Sequence, residues 1–283
     1  MSQLPGSIKA KNIGIRRRKS LGWRSFDLQA PNVTAEDPNS MIASATMTAG
    51  NCVVTFPTAC TTDSEHAIDY AIFGIPLVNN YGEAVKFTTP FCLMTQVEFI
   101  GCTGDRGANN EPHVAFGMGI GENASNFDDG TNQWMMGGLV IVGDQADPNM
   151  SMVRSKSSGA AGRARNITSN LGAASGTGLQ HTSFYVGPAV GSLADAESVA
   201  INMNTGGYSG NSYAQDTSVT SYQYDHHNDD SHFQEDGQVY LYAFFGSYGE
   251  TWDYSGGGTP PVLTCRLRYL VTSDPAGWGG TGT

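Results

Sequence analysis

Phe91-Cys-Leu-Met-Thr-Gln-Val-Glu-Phe-Ile100 alternates in polarity along its length, with Phe91, Leu93, Val97 and Phe99 on one face and Cys92, Gln96 and Glu98 on the other. Successive side chains of a β-strand point to opposite sides, so this pattern predicts a strand with one face in a core and one toward water. The next run, His113 to Gly121, puts Val114, Phe116, Met118 and Ile120 on one face and Ala115, Gly117, Gly119 and Gly121 on the other. A glycine face lets a bulky side chain or another backbone lie close against the strand. Val262 to Thr272 repeats the alternation, with Leu263, Cys265, Leu267, Tyr269 and Val271 facing one way and Arg266 and Arg268 the other.

Further strands are predicted at Cys52–Phe56, Tyr70–Val78, Trp134–Val142, Met150–Arg154, Ser183–Val186, Val199–Met203 and Gln238–Tyr248. Trp134–Val142 and Val239–Phe245 are apolar on both faces, which predicts strands covered on both sides. Charged residues make up only 14% of the chain and glycine 36 of 283 residues, a balance that disfavours helical bundles and favours short strands joined by polar turns. The expected fold is all-β: a two-sheet antiparallel sandwich or jelly roll with an extended basic N-terminal arm. Residues 1–25 read as the arm, 26–272 as the sandwich and 273–283 as a Gly-rich tail. Ser157–Gly178 and Thr205–Glu235 interrupt the strand pattern and read as long loops.

The charge is divided unevenly. Lys9, Lys11, Arg16, Arg17, Arg18, Lys19 and Arg24 place +7 on the first 24 residues, against −18 on the rest, for a formal total of −11. A block of like charge at one end reaches toward a partner of opposite sign, so these residues, with Trp23 as an apolar anchor, are expected to dock onto an acidic surface. The acidic body repels phosphate, which leaves the arm as the only part suited to nucleic acid. No apolar run approaches the ~18 residues a membrane span requires, and no apolar stretch of a secretory signal precedes or follows the cations, so neither membrane insertion nor export is expected. Cysteines at 52, 60, 92, 102 and 265 have neither even number nor C-x-x-C spacing, and read as free thiols.

Among polar clusters, Asp225, His226, His227, Asp229, Asp230 and His232 form the densest ligand-like set. Imidazole and carboxylate both donate lone pairs, so these are the candidate metal ligands, although neighbours in one loop seldom converge on a point. A solvated polar loop is the simpler account of them, and no cofactor is expected. Tyr222, Tyr224, Tyr248, Trp252 and Tyr254 lie in or beside loops and are candidates for stacking on a sugar ring, although packing of the loops or contact with a neighbouring subunit is the simpler account of them. Glycoside hydrolysis needs two facing carboxylates roughly 5–10 Å apart. Neither Glu65/Asp69 nor Glu235/Asp236 has the spacing to supply them from one strand. Gly117-Met-Gly-Ile-Gly121 lacks the following helix of a dinucleotide fingerprint, and no nucleophile elbow or phosphate loop is present.

The runs Val-Ala-Phe-Gly-Met-Gly-Ile-Gly (114–121) and Asn-Gln-Trp-Met-Met-Gly-Gly-Leu (132–139), set in a chain rich in Gly, Asn and Thr, resemble concanavalin-like (laminin-G-like) jelly rolls of tailed-bacteriophage virion structural proteins. The resemblance spans about residues 50–272. It implies a sugar-binding type of fold reused as a virion part. The acidic catalytic pair of the enzymes that share this fold is missing from the sequence, so the chain is expected not to be an enzyme. The expected role is a homo-oligomeric virion subunit made in the host cytoplasm: a tail fibre or spike, a decoration protein or a capsid-associated subunit. Its arm would dock on other virion proteins, or on the genome in a capsid, and its jelly roll would face host glycan. The alternative is a carbohydrate-binding module or polysaccharide-active enzyme of the same fold.

Overall fold

The computed structural model describes residues 22–37, 40–60, 70–79, 82–86, 91–105, 114–122, 134–141, 148, 150–156, 165–167, 178–187, 198–204, 222–224, 237–247, 252–253 and 256–272. Every regular element among them is a strand: β1 (Arg24–Ser25), β2 (Thr34–Glu36), β3 (Ser44–Thr48), β4 (Asn51–Thr55), β5 (Ala59–Cys60), β6 (Tyr70–Pro76), β7 (Phe91–Thr103), β8 (Val114–Gly121), β9 (Trp134–Ile141), β10 (Met150–Lys156), β11 (Arg165–Ile167), β12 (Leu179–Gly187), β13 (Ser198–Asn204), β14 (Tyr222–Tyr224), β15 (Tyr240–Ser247), β16 (Trp252–Asp253) and β17 (Val262–Thr272). Sheet I runs β14-β13-β12-β7-β17-β4-β3, with β1 also beside β17; sheet II runs β11-β10-β9-β8-β15-β6-β2; β5 and β16 pair separately. All pairings are antiparallel, and the two large sheets form the expected sandwich.

The alternation read from the sequence decides which side chains fill the space between the sheets. Leu93 and Val97 of β7, Leu263, Cys265 and Leu267 of β17, and Val54 of β4 point inward from sheet I. Phe116, Met118 and Ile120 of β8, Leu139 of β9, and Leu241, Ala243 and Phe245 of β15 meet them from sheet II. Removing each large side chain from water is worth about 1.5–3 kcal/mol, and the shared period keeps these gains on one side of every strand. Contact across the gap is direct: the rings of Phe99 (sheet I) and Phe116 (sheet II) have centroids 6.4 Å apart.

Two glycines set how closely neighbouring parts approach. A Cβ on Gly137 of β9 would collide with Oγ1 of Thr182 on β12 and lie 2.8 Å from its Cγ2, so the opposing sheets touch here through a missing side chain. A Cβ on Gly121 would strike the Tyr242 ring, 2.6 Å from its Cζ. That ring belongs to a second apolar layer on the far face of sheet II, where Tyr70, Ile72, Ala115, Met136, Val140, Tyr242 and Phe244 are all buried. The glycine face of β8 is thus the bed of an aromatic ridge on β15, and both faces of sheet II are covered, as the two-sided apolar pattern of Val239–Phe245 predicts.

One irregularity interrupts β7. Cys265 pairs with Phe99 and Thr264 with Gly101, so Ile100 is the extra residue of a bulge. Its side chain is left exposed at 44%.

Candidate functional site

The polar side of sheet I collects the groups best suited to meet a ligand. β17 lies against β7, and β7 against β12, in a register that aligns Arg268 with Gln96 and Gln96 with His181. The adjacent row aligns Arg266 with Glu98. These residues occupy the alternate phase to the buried Leu267, Val97 and Thr182, and therefore look outward. The Arg266 guanidinium donates through Nη1 to Glu98 Oε2 at 3.0 Å and through Nε to Asn51 Oδ1 at 3.1 Å. Arg268 Nη1 donates to Gln96 Oε1 at 3.2 Å. Arginines, amides and a carboxylate braced in this way offer planar donors and acceptors in fixed positions.

Trp23 completes the face. It directly precedes β1, on the opposite side of β17 from β7, yet its indole centroid is 5.9 Å from the His181 ring on β12. The indole therefore reaches across the outer face of β17 and β7, and at 38% it keeps much of its surface open to solvent. Its neighbour Arg24 turns the other way, donating to the carbonyls of Val78 and Asn79 at 3.2 Å each, with its guanidinium carbon 5.9 Å from the Tyr269 ring centroid. With Phe26 N bonded to Leu267 O and the Phe26 ring in the core, this anchorage fixes where Trp23 can lie. Partial burial pushes the His181 imidazole below its ordinary value of 6.5, which favours the neutral ring with one donor and one acceptor nitrogen.

The residues proposed from sequence fall unevenly on this structure. Trp23 and Arg24 are seated on the sandwich as described, whereas Lys9, Lys11, Arg16, Arg17, Arg18 and Lys19 lie outside the described residues. Tyr222 and Tyr224 belong to β14 at the end of sheet I, and Trp252 to β16 opposite Cys60. Tyr248 and Tyr254 lie outside the described residues, as do Asp225, His226, His227, Asp229, Asp230 and His232. Among the described residues no group of His, Cys, Asp and Glu is arranged to hold a metal ion. Gln96, Glu98, Arg266 and Arg268 are visible in the sequence as the polar phase of two alternating strands, but nothing there places His181 beside them. Only the strand order β17-β7-β12 does so.

The thiols are set apart from this chemistry. Cys52 and Cys265 face each other across β4 and β17 within the core as free thiols, and burial together with Cys52 pushes the Cys265 thiol well up. Cys92 points outward from β7 yet is buried, which pushes its thiol up to about 12.

The chain matches no protein-family model and no curated protein. Among solved structures it is similar to alginate lyase A1-II′ (12% identity, 80% of this chain and 81% of that one, TM-score 0.38). It is also similar to a glycosidic hydrolase (9% identity, 89% and 95%, TM-score 0.43). A third is the winged bean acidic lectin, in complex with methyl-α-D-galactose (8% identity, 89% and 100%, TM-score 0.34). These neighbours are concanavalin-like jelly-roll proteins, and none of the three is a bacteriophage virion protein.

One expectation is corrected here. The chain was expected not to be an enzyme, but two of these three similar structures are enzymes, so the expectation does not stand. Its physical basis was also too narrow. A sandwich site is assembled across neighbouring strands, so its members are far apart in sequence, as Gln96 and Arg268 are at 172 residues, and no local motif reveals them.

Proposed function

We propose that the outer face of sheet I is a glycan site and that the chain is a carbohydrate-recognising, polysaccharide-active type of jelly roll. The observation that carries this reading is the placement of Trp23. An exposed indole lies over a face lined with Arg268, Gln96 and His181, held against it by the ring contact with His181. A sugar ring has an apolar face and a rim of hydroxyls, and an aromatic platform beside planar hydrogen-bonding groups complements both. Bracing of Arg268 by Gln96, and of Arg266 in the adjacent row by Glu98 and Asn51, lowers the cost of ordering this face when a ligand binds. The test is a screen of the full chain against neutral and acidic oligosaccharides, with binding and product formation both recorded. Binding of at least one class supports the reading, and no binding across the panel defeats it.

A second reading is favoured by the charge distribution. An arm carrying +7 joined to a remainder of −18 suits docking between copies or onto an acidic partner, as in a virion subunit that presents its glycan face to a host. Deleting residues 2–22 leaves Trp23 and Arg24 in place; it is expected to abolish salt-sensitive multimers while leaving the sandwich folded. Multimers that persist unchanged would refute this role for the arm.

A further inference from the structure

We infer that the glycan bound by this face is anionic, and that the Arg268 guanidinium holds its carboxylate or sulfate; the inference rests on the glycan reading above. The charge balance of sheet I is the first observation. Its strands β1, β3, β4, β7, β12, β13, β14 and β17 contain a single acid, Glu98, against Arg24, Arg266 and Arg268, in a chain whose formal charge is −11. With Arg24 turned away, the outer face keeps Arg266 and Arg268 against Glu98, and this excess of positive charge on a chain of net negative charge attracts anions to the face.

The second observation is how the three arginines are used. Arg24 is turned onto the carbonyls of Val78 and Asn79. Arg266 is neutralised by Glu98 at 3.0 Å and further held by Asn51. Arg268, which stays on the outer face, has a neutral partner in the Gln96 amide oxygen, which orients the guanidinium without cancelling its charge. A half-buried guanidinium so placed keeps donors in the fork geometry that matches a carboxylate or sulfate. Gln96 accepts from Arg268 through Oε1, so its amide nitrogen has protons to give to the same ligand. Trp23 and His181, on the same face, supply the apolar platform and a further hydrogen-bonding ring.

The experiment is calorimetric titration of the full chain with three probes: an oligogalacturonate for carboxylate, a sulfated galactan oligosaccharide for sulfate, and a cello-oligosaccharide as neutral control. Arg268→Gln and Arg268→Lys are compared with the parent, with far-UV circular dichroism and melting temperature confirming that each variant folds. The expected result is selective binding of one or both acidic probes, weakened by salt. Arg268→Gln should lose about tenfold to a hundredfold in affinity, the range for a charge-assisted hydrogen bond, and Arg268→Lys should lose less. The acidic probe bound more tightly identifies carboxylate or sulfate as the group held. Equal binding of the neutral probe with Arg268→Gln unaffected would overturn the inference and leave the glycan reading standing. No binding of any probe would overturn both.

Discussion

Replacing Gly137 by alanine tests the packing that sets the spacing of the two sheets. The added Cβ would collide with Thr182 Oγ1 and sit 2.8 Å from Cγ2 and 3.1 Å from Cβ of the same residue. Thr182 is itself buried at 1% exposure, and its strand is pinned between β7 and β13, so little can yield. Overpacking of this kind costs about 1–3 kcal/mol. Alanine in place of glycine in an extended strand returns about 0.5–1 kcal/mol by restricting the unfolded chain. The net expectation is a destabilisation of about 1 kcal/mol and at most about 2.5 kcal/mol, or a few degrees in melting temperature for a domain of this size. A double-mutant cycle makes the argument specific. Thr182→Ala alone should be close to neutral, because the lost methyl is offset by removal of a buried hydroxyl that has no hydrogen-bond partner. In the Gly137→Ala background the same change removes Oγ1 and Cγ2, the atoms in collision, and should restore most of the lost stability. The assay is urea unfolding followed by tryptophan fluorescence, with thermal melts alongside. If the two substitutions are simply additive, Gly137 and Thr182 do not touch and the facing of β9 and β12 described here is wrong.

Other outcomes follow from the same structure. Brief treatment of the native protein with an alkylating reagent should label the half-exposed Cys102 before Cys52, Cys92 or Cys265, since burial keeps those three away from the reagent; peptide mass spectrometry reads the order, and early labelling of Cys265 would contradict its place in the core. His181 is held below its ordinary 6.5, so the unfolded chain binds a proton there that the folded chain resists. Its contribution to stability is therefore complete above that value and is lost as pH falls from about 6.5 through the lower folded value; His181→Gln should flatten that part of the stability–pH curve, and an unchanged curve would refute the assignment.

Much of the sandwich could be read before any coordinates because sheets enforce a period of two on the strands that line a core. Val114, Phe116, Met118 and Ile120 are inward in the structure as the alternation demands, and the two-sided apolar run at Val239–Phe245 lies between two covered faces. The short strands β1, β2, β3, β5, β11, β14 and β16 escaped because two to five residues carry too little pattern, and their hydrogen-bonded neighbours supply what the local sequence does not. Ile100 continues the apolar run of β7 in sequence, yet it falls on the outward phase with Gln96 and Glu98, at the bulge, and is exposed.

The site was less legible than the fold. Arg266, Arg268, Gln96 and Glu98 can be assigned to a polar phase, but their meeting depends on strand order, which periodicity does not encode. His181 precedes Thr182 and Phe184 in an unremarkable stretch, and only pairing with β7 brings it to the Arg268 row. Trp23 reads from sequence as the end of a docking arm. The anchorage of Arg24 and Phe26 on the sandwich brings it onto the sheet face, a position that the sequence does not specify.

The most direct measurement is the glycan affinity of the Trp23→Ala variant against that of the parent chain, by calorimetry with whichever oligosaccharide the screen shows to bind. A central aromatic platform is commonly worth about 2 kcal/mol, so the variant should bind about thirtyfold more weakly with its melting temperature little changed. An undiminished affinity in a folded Trp23→Ala protein would mean that the ligand sits elsewhere, and that the outer face of sheet I is not the glycan site.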